Sequence, residues 1–297
     1  MHYEWLALAA ALLWAIASLL SVQPASHLGP FAFSRWRMAC VTLMLGALSL
    51  YTGGFTSLTG PQLLQVALSG LIGIFIGDTA LYASLNRLGP RRAGLLFASH
   101  ALFSALLGAW LFAEVLSGGR LWGAALVLAG VIVAIVYGRR SGGHQLEQLS
   151  GSLGVAVALG LLAGLCQSVG TLLAKPVMSQ GVDPVAASCV RMATAFVAHS
   201  LLRLSGASLA RARNPITWPI LGMIISNGFL AMTLGMTLIL MALSRGDVGM
   251  VAILSSTTPV MLLPLLWLYT RQRPAASAWL AAALVVCGTA LVLANKT

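Results

Sequence analysis

The sequence predicts an all-α, multi-pass membrane protein, with ten transmembrane helices arranged as two inverted-topology five-helix repeats. Three observations predict it. Hydrophobic residues make up 59% of the 297 and charged residues 8%, whereas a soluble domain is nearer a quarter charged. Gly, Pro and charge punctuate the chain into ten apolar segments near the roughly 20 residues that cross a bilayer. Finally, the chain repeats itself. Pro30 followed by Arg37-Met38-Ala39 recurs as Pro184 followed by Arg191-Met192-Ala193, and Gly70, Gly77, Leu85, Arg87 and Gly130 recur as Gly228, Gly235, Leu243, Arg245 and Gly288. The first set is displaced by 154 residues and the second by 158. The change falls in the weakly structured stretches 52–69 and 206–227, where loops tolerate insertion.

Taken in order, the segments are 4–23, 30–51, 62–86, 91–112 and 119–138, then 151–174, 183–204, 217–244, 247–269 and 275–294. Spans three and four are separated by a tight turn at Leu88-Gly89-Pro90, and spans eight and nine by one at Arg245-Gly246-Asp247. The longest polar stretch, Gly138–Ser150, holds Arg139, Arg140, His144, Gln145, Glu147 and Gln148. It divides a first repeat, 1–140, from a second, 151–297, with 141–150 as linker. Five spans per copy is an odd number, so the second copy enters the bilayer in the opposite sense, the plan that builds two related gates around a midplane site. Spans five and ten are nearly free of polar residues and read as scaffold or lipid-facing. Gly73-x-x-x-Gly77, Gly119-x-x-x-Gly123 and Gly160-x-x-x-Gly164 allow close helix approach.

The net charge of +11 reads as loop charge and not as a nucleic-acid surface, since no basic stripe interleaves with aromatics. Links after spans three, five, seven and nine carry Arg87, Arg91, Arg92, Arg139, Arg140, Arg203, Arg211, Arg213, Arg271 and Arg273, against Arg120, Lys175, Arg245 and Lys296 on the other side. The positive-inside rule puts the first set in the cytoplasm and both termini outside. The N-terminus lacks a basic n-region, so the first apolar segment is expected to be retained. Cys40, Cys166, Cys189 and Cys287 lie singly in apolar segments, and nothing implies a disulfide, a metal or a cofactor.

Of the six acids, Glu4, Glu114, Glu147, Asp183 and Asp247 fall at helix ends or in linkers, and only Asp78 lies well inside a span. A carboxylate there costs on the order of 3 kcal/mol or more unless it faces a cavity or a partner. Asp78 therefore reads either as a ligand contact or proton-linked acid, or as the structural partner of Arg37, Arg191 or Lys175. Its repeat counterpart is Met236, so the acid is not common to both copies. Arg37 and Arg191 are common to both, each with Pro30 or Pro184 seven residues earlier, which favours a structural over a substrate-clamping role. Lys175, whose counterpart is Ser21, either meets a substrate anion or snorkels. Tyr82 follows Asp78 on the same helix face. Trp14, the pair Ser99-His100 with its echo Thr257-Thr258, Gln167-Ser168, Thr171 and Ser226-Asn227 put polar groups at similar depth on spans one, three, four, six, eight and nine. Each alone is ordinary packing, and together they outline a small polar cavity. His100 reads chiefly as a satisfied core histidine. Gly77 and Gly235 read as hinges.

These residues, over the whole chain, resemble the drug/metabolite transporter superfamily in its EamA-type ten-helix form. The Pro…Arg segments match that family's second and seventh helices. The stretch Leu81–Gly89, then Ala93 through Glu114, Trp122-Gly123 and Gly130, resembles its third to fifth, and Thr258-Pro259-Val260 its ninth. The chain departs from the pattern at Ala101, where the family has proline, at Gln272, the counterpart of Glu114, and at Ser21, where the family has lysine. The resemblance implies secondary transport of small metabolites, with amino-acid exporters, nucleotide-sugar carriers and sugar-phosphate exchangers among the members. Within it the chain looks most similar to bacterial amino-acid exporters of the YddG kind, which also carry an acid matching Asp78. The expected function is export of amino acids or similar small metabolites from the cell, across the inner membrane, by alternating access. The alternative is an organic-phosphate or nucleotide-sugar carrier. An enzyme is not expected, since no Ser-His-Asp set, paired intramembrane aspartates or metal-spaced cluster is present.

Overall fold

The computed structural model describes residues 2–114, 118–137, 152–270 and 276–294, and among them there are helices, turns and no strands. The linker 141–150 and the link residues Arg139, Arg140, Arg271 and Arg273 lie outside the described residues. Among the described residues, six helices are long and apolar enough to cross a membrane: Tyr3–Leu28, Gly60–Leu88, Leu153–Ser179, Pro184–Leu204, Trp218–Leu243 and Val248–Leu265. Leu96–Phe112, Gly118–Val133 and Trp279–Leu291 are shorter apolar helices. Pro30–Thr52, 23 residues long, completes the ten spans. Large apolar side chains such as Leu43, Trp110 and Leu268 are exposed, as a lipid-facing surface requires.

Equivalent spans pair with each other head to tail, and this fixes the inverted topology. Cys189 lies against Thr42 O, and a side chain at Gly54 would meet Asp183, so numbering rises along span two as it falls along span seven. Gly130 packs on Ala281 and Val285, and Gly288 on Gly123 and Val127, so spans five and ten are antiparallel too. The remaining contacts exchange as a two-fold demands. Span one runs antiparallel to span eight, with Trp14 at Ala231 and Asn227 at Ala17. Span six runs antiparallel to span three, with Gly73 at Gly170 and Gly77 at Cys166.

The tight turn expected at 88–90 is not a break in hydrogen bonding, since helix runs through Thr79–Ala98. The chain nevertheless doubles back there. Ser84 and Leu96 both lie against Gly160, although 12 residues of straight helix would separate them by about 18 Å. Span one also runs past Pro24 to Leu28, and span six past Pro176 to Ser179, both beyond the expected ends. Spans one and two are joined by Gly29 alone, at φ 84°, a conformation only glycine adopts without strain. Pro30 and Pro184 open spans two and seven at the first helical turn, where the ring fixes φ and no amide hydrogen is missed.

Two deviations from regular helix recur in both copies. Leu71–Asp78 and Gly228–Met236 are π-helical, wider turns that are frequent at functional sites. Spans four and nine are interrupted at Ser99 and at Ser256-Thr257. Small residues admit the close approaches. Gly73 and Gly77 face span six, Gly160 and Gly164 face span four, and Gly123 faces Gly288.

These contacts make a test. A methyl on Gly288 would lie 2.7 Å from Gly123 O. Gly288→Ala is therefore expected to cost about 1–3 kcal/mol through overpacking. Gly222, with nothing near its missing Cβ, is expected to tolerate alanine or gain up to about 1 kcal/mol. Thermal unfolding in detergent compares the two, and equal midpoints would contradict the span-five to span-ten interface.

Candidate functional site

Two arginines lie at the centre of the bundle, 0% and 1% exposed at Arg37 and Arg191. Each sits two turns into a helix opened by proline. Around Arg37 both terminal nitrogens have partners, and only Nε has none among the described residues. Nη2 donates to the Asp78 carboxylate, Nη1 donates to Tyr82 OH at 2.5 Å and to Asn227 Oδ1 at 3.3 Å, and the guanidinium lies 4.8 Å over the Tyr82 ring and 5.2 Å from Phe33. Asn227 is held in turn by donating to Ala17 O at 2.7 Å. Spans one, two, three and eight therefore meet in one hydrogen-bonded cluster that joins the two repeats. In low dielectric an ion pair of this kind holds only when its remaining donors and acceptors are met.

Arg191 has the same place in the second copy and almost none of the partners. Asp78 is matched by Met236, Tyr82 by Leu240 and Asn227 by Ser69. Nη1 points at Met236 Sδ at 3.1 Å, a weak acceptor. Nε and Nη2 have no hydrogen-bond partner among the described residues. Ser69 donates to Gly170 O instead. Gly70 packs on the Arg191 backbone, and a side chain on Gly73 would stand 3.2 Å from Nη2, so the π-helical turn of span three passes directly beside the unpaired guanidinium.

The other residues singled out from sequence fall into separate groups. Trp14 donates to Ala231 O at 2.8 Å and covers Gly235. His100 is buried beside the Phe97 ring, and its carbonyl accepts from Ser168 Oγ at 2.8 Å, which also receives the Ser104 hydroxyl. Ser99 and Thr257 turn back onto the carbonyls three residues earlier, at the interruptions of spans four and nine. Thr171 donates to Gln167 O, and Gln167 is itself buried. Lys175 does not reach the centre. Its Nζ donates to Leu243 O at 2.9 Å and Gly246 O at 2.6 Å, the free carbonyls at the end of span eight, where a cation is favoured.

Lys175 belongs to a network that closes one face of the bundle. Glu114 accepts from Val248 N at 2.9 Å and Gly249 N at 3.2 Å and so caps span nine. Arg120 bonds Asp247 at 2.6 Å and Tyr3 OH at 3.1 Å, and the Tyr3 ring fills the space where Gly246 lacks a side chain. On the same face Asp183 caps span seven through Ala186 N, and its own amide donates to Ser57. The opposite face holds a cavity of about 420 Å³ whose lining includes Arg35, Arg203, Arg211, Trp36 and Asn214. None of Glu114, Arg120, Asp183, Asp247 and Arg35 was singled out from sequence as part of a site. Asp183-Pro184 is a legible helix start, whereas the helix that Glu114 caps lies 134 residues away and leaves no local signal. His199, buried against Phe75 and Thr79, was missed for the same reason.

The cluster itself is testable. Asp78→Asn leaves two buried guanidiniums without a counter-charge and is expected to cost about 3–5 kcal/mol. Arg37→Met together with Asp78→Leu should recover most of that loss. Tyr82→Phe should cost about 1.5–3 kcal/mol, as loss of a hydrogen bond to a charged group does. Unchanged thermal stability of Asp78→Asn would show that the pair does not hold the repeats together.

The sequence profile of the EamA-like transporter family matches residues 1–136 and 154–294. Among solved structures 25 chains match, including a crystal structure with a TM-score of 0.76 that covers 97% of this chain and 95% of its own. At 21% identity that likeness is one of fold. No curated protein matches.

Proposed function

The chain belongs to the EamA-like transporter family, a multi-pass membrane transporter of the drug/metabolite type, and on that premise we propose that it exports amino acids or similar small zwitterionic metabolites. The observation that carries the reading is the central cluster, which puts one carboxylate and two guanidiniums at the seam of the inverted halves. A zwitterion offers both charges such a seam can bind, and its apolar side chain suits the neighbouring Trp14, Phe33 and Tyr82. Carriage of organic phosphates or nucleotide sugars is less well supported, because Lys175 is held by backbone carbonyls at one face.

The mechanism follows from the geometry. The repeats 1–140 and 151–297 rock about the axis between spans two and seven, and the π-helical turns and interrupted helices absorb the change. The face laced by Tyr3, Glu114, Arg120, Lys175 and Asp247 is shut in this structure. With the basic links in the cytoplasm and both termini outside, that face is external in the inner membrane. Export then requires Arg120–Asp247 and the Lys175 contacts to part once per cycle.

Proteoliposomes preloaded with each class of amino acid provide the test. Saturable efflux of at least one amino acid is expected, and none across the classes would end the proposal. In cells, a cysteine introduced as His2→Cys is expected to react with an impermeant maleimide without permeabilisation, and reaction only after permeabilisation would reverse the orientation.

A further inference from the structure

The two copies keep their buried arginine but only one keeps an acid. Arg37 is neutralised by Asp78, bonds Tyr82 and Asn227, and leaves only Nε empty, whereas Arg191 meets no carboxylate, touches a methionine sulfur and leaves both Nε and Nη2 empty. A fully buried guanidinium without a counter-ion is among the costliest groups a bundle can hold. A neutral residue would remove that cost at once, and the structural part, helix packing through Gly70, uses only the Arg191 backbone. The side chain is thus unexplained by the fold. Nothing on its own helix supplies an anion, and Asp78 is already committed to Arg37.

We propose that Arg191 is the anion-recognition residue of the carrier and that its missing partner is the carboxylate of the transported solute, received beside the π-helical turn Leu71–Asp78. This rests on the reading of the chain as a carrier of small zwitterions. The planar fork of the guanidinium suits a carboxylate through two parallel hydrogen bonds. Nε and Nη2, the two donors without a partner, form one such edge of the guanidinium, and Gly73 puts no side chain beside Nη2. The solute so bound occupies in the second copy the place that Asp78 occupies in the first. An empty carrier leaves Arg191 without a counter-ion, and a loaded one gives each arginine a carboxylate, while the ammonium of the zwitterion leaves the net charge of the centre unchanged. This ties occupancy of the site to the electrostatic balance across the seam that rocking must open.

The test uses the full-length protein in detergent and a panel of probes. These are the twenty amino acids, the amines left when their carboxylates are removed, the acids left when their amino groups are removed, and inorganic phosphate. Ligand binding to the folded state raises the unfolding midpoint. Wild-type protein is expected to be stabilised by at least one probe that carries a carboxylate, and not by the matching amine. Arg191→Met should weaken that binding about 10- to 100-fold, as loss of charge-assisted hydrogen bonds does. Met236→Asp installs in the second copy the acid that the first already has, and should raise the midpoint without ligand while abolishing the ligand shift. Amino acids and their amines stabilising wild type alike would overturn the inference while leaving the exporter reading intact. Stabilisation by des-amino acids, but by no amino acid, and lost in Arg191→Met, would uphold the inference and overturn that reading, whereas stabilisation by phosphate alone would overturn both. If no anion shifts the wild-type midpoint, or if the shift survives Met236→Asp, Arg191 is not the recognition residue. The wild-type comparison of acid with amine decides the matter even where a variant does not fold.

Discussion

The Arg37–Asp78 pair is the interaction on which the bundle's centre depends. Both charges are buried, so each is tolerable only because the other is there, and Tyr82 and Asn227 accept the hydrogens of Nη1. That condition ties spans two and three of one repeat to span eight of the other and, through Asn227, to span one. Apolar side chains gain little by leaving lipid for a protein interior. Small residues and buried polar bonds therefore fix the register here. The glycine contacts of spans three and six set how near the halves lie, and the ion pair sets which turn faces which.

Both halves are built on one pattern, and function is read in how the pattern is broken. The π-helical turns and the interruption of spans four and nine occur in each copy, so they belong to the common frame. Asp78, Tyr82 and Asn227 have no chemical equivalents at Met236, Leu240 and Ser69. Closure is just as one-sided. Five side chains lace the face that holds Tyr3 and Asp247, while the face with Arg35, Arg203 and Arg211 retains a cavity.

Much of the frame was legible in the sequence, because glycine and proline mark backbone positions that tolerate no substitute. Pro30 and Pro184 open their helices, and the glycine spacings at 73–77 and 160–164 do face neighbouring spans. A single deep acid among few deep cations also narrowed the partners of Asp78 to three. What stayed hidden was long-range geometry. No local pattern tells that Lys175 serves the carbonyls of Leu243 and Gly246, that Glu114 caps a helix in the other repeat, or that Arg37 and not Arg191 receives the acid. The π-helical turns were equally silent, since no local pattern announces that the first packs against span six and the second against spans one and two.

The antiparallel contact of spans two and seven is isologous, as in a two-fold dimer of identical subunits, where each residue near the axis meets its own image. A true dimer of that kind holds only even numbers of every charge at its centre. A carboxylate on one subunit would be matched by a carboxylate on the other, and both arginines would be satisfied or neither. Covalent joining of the two halves is what permits an odd number: two guanidiniums, one carboxylate and a single unmatched positive charge on an otherwise symmetric axis. The duplication thus does more than repeat a frame, because it frees one arginine's surroundings to change while the other's continue to hold the molecule together.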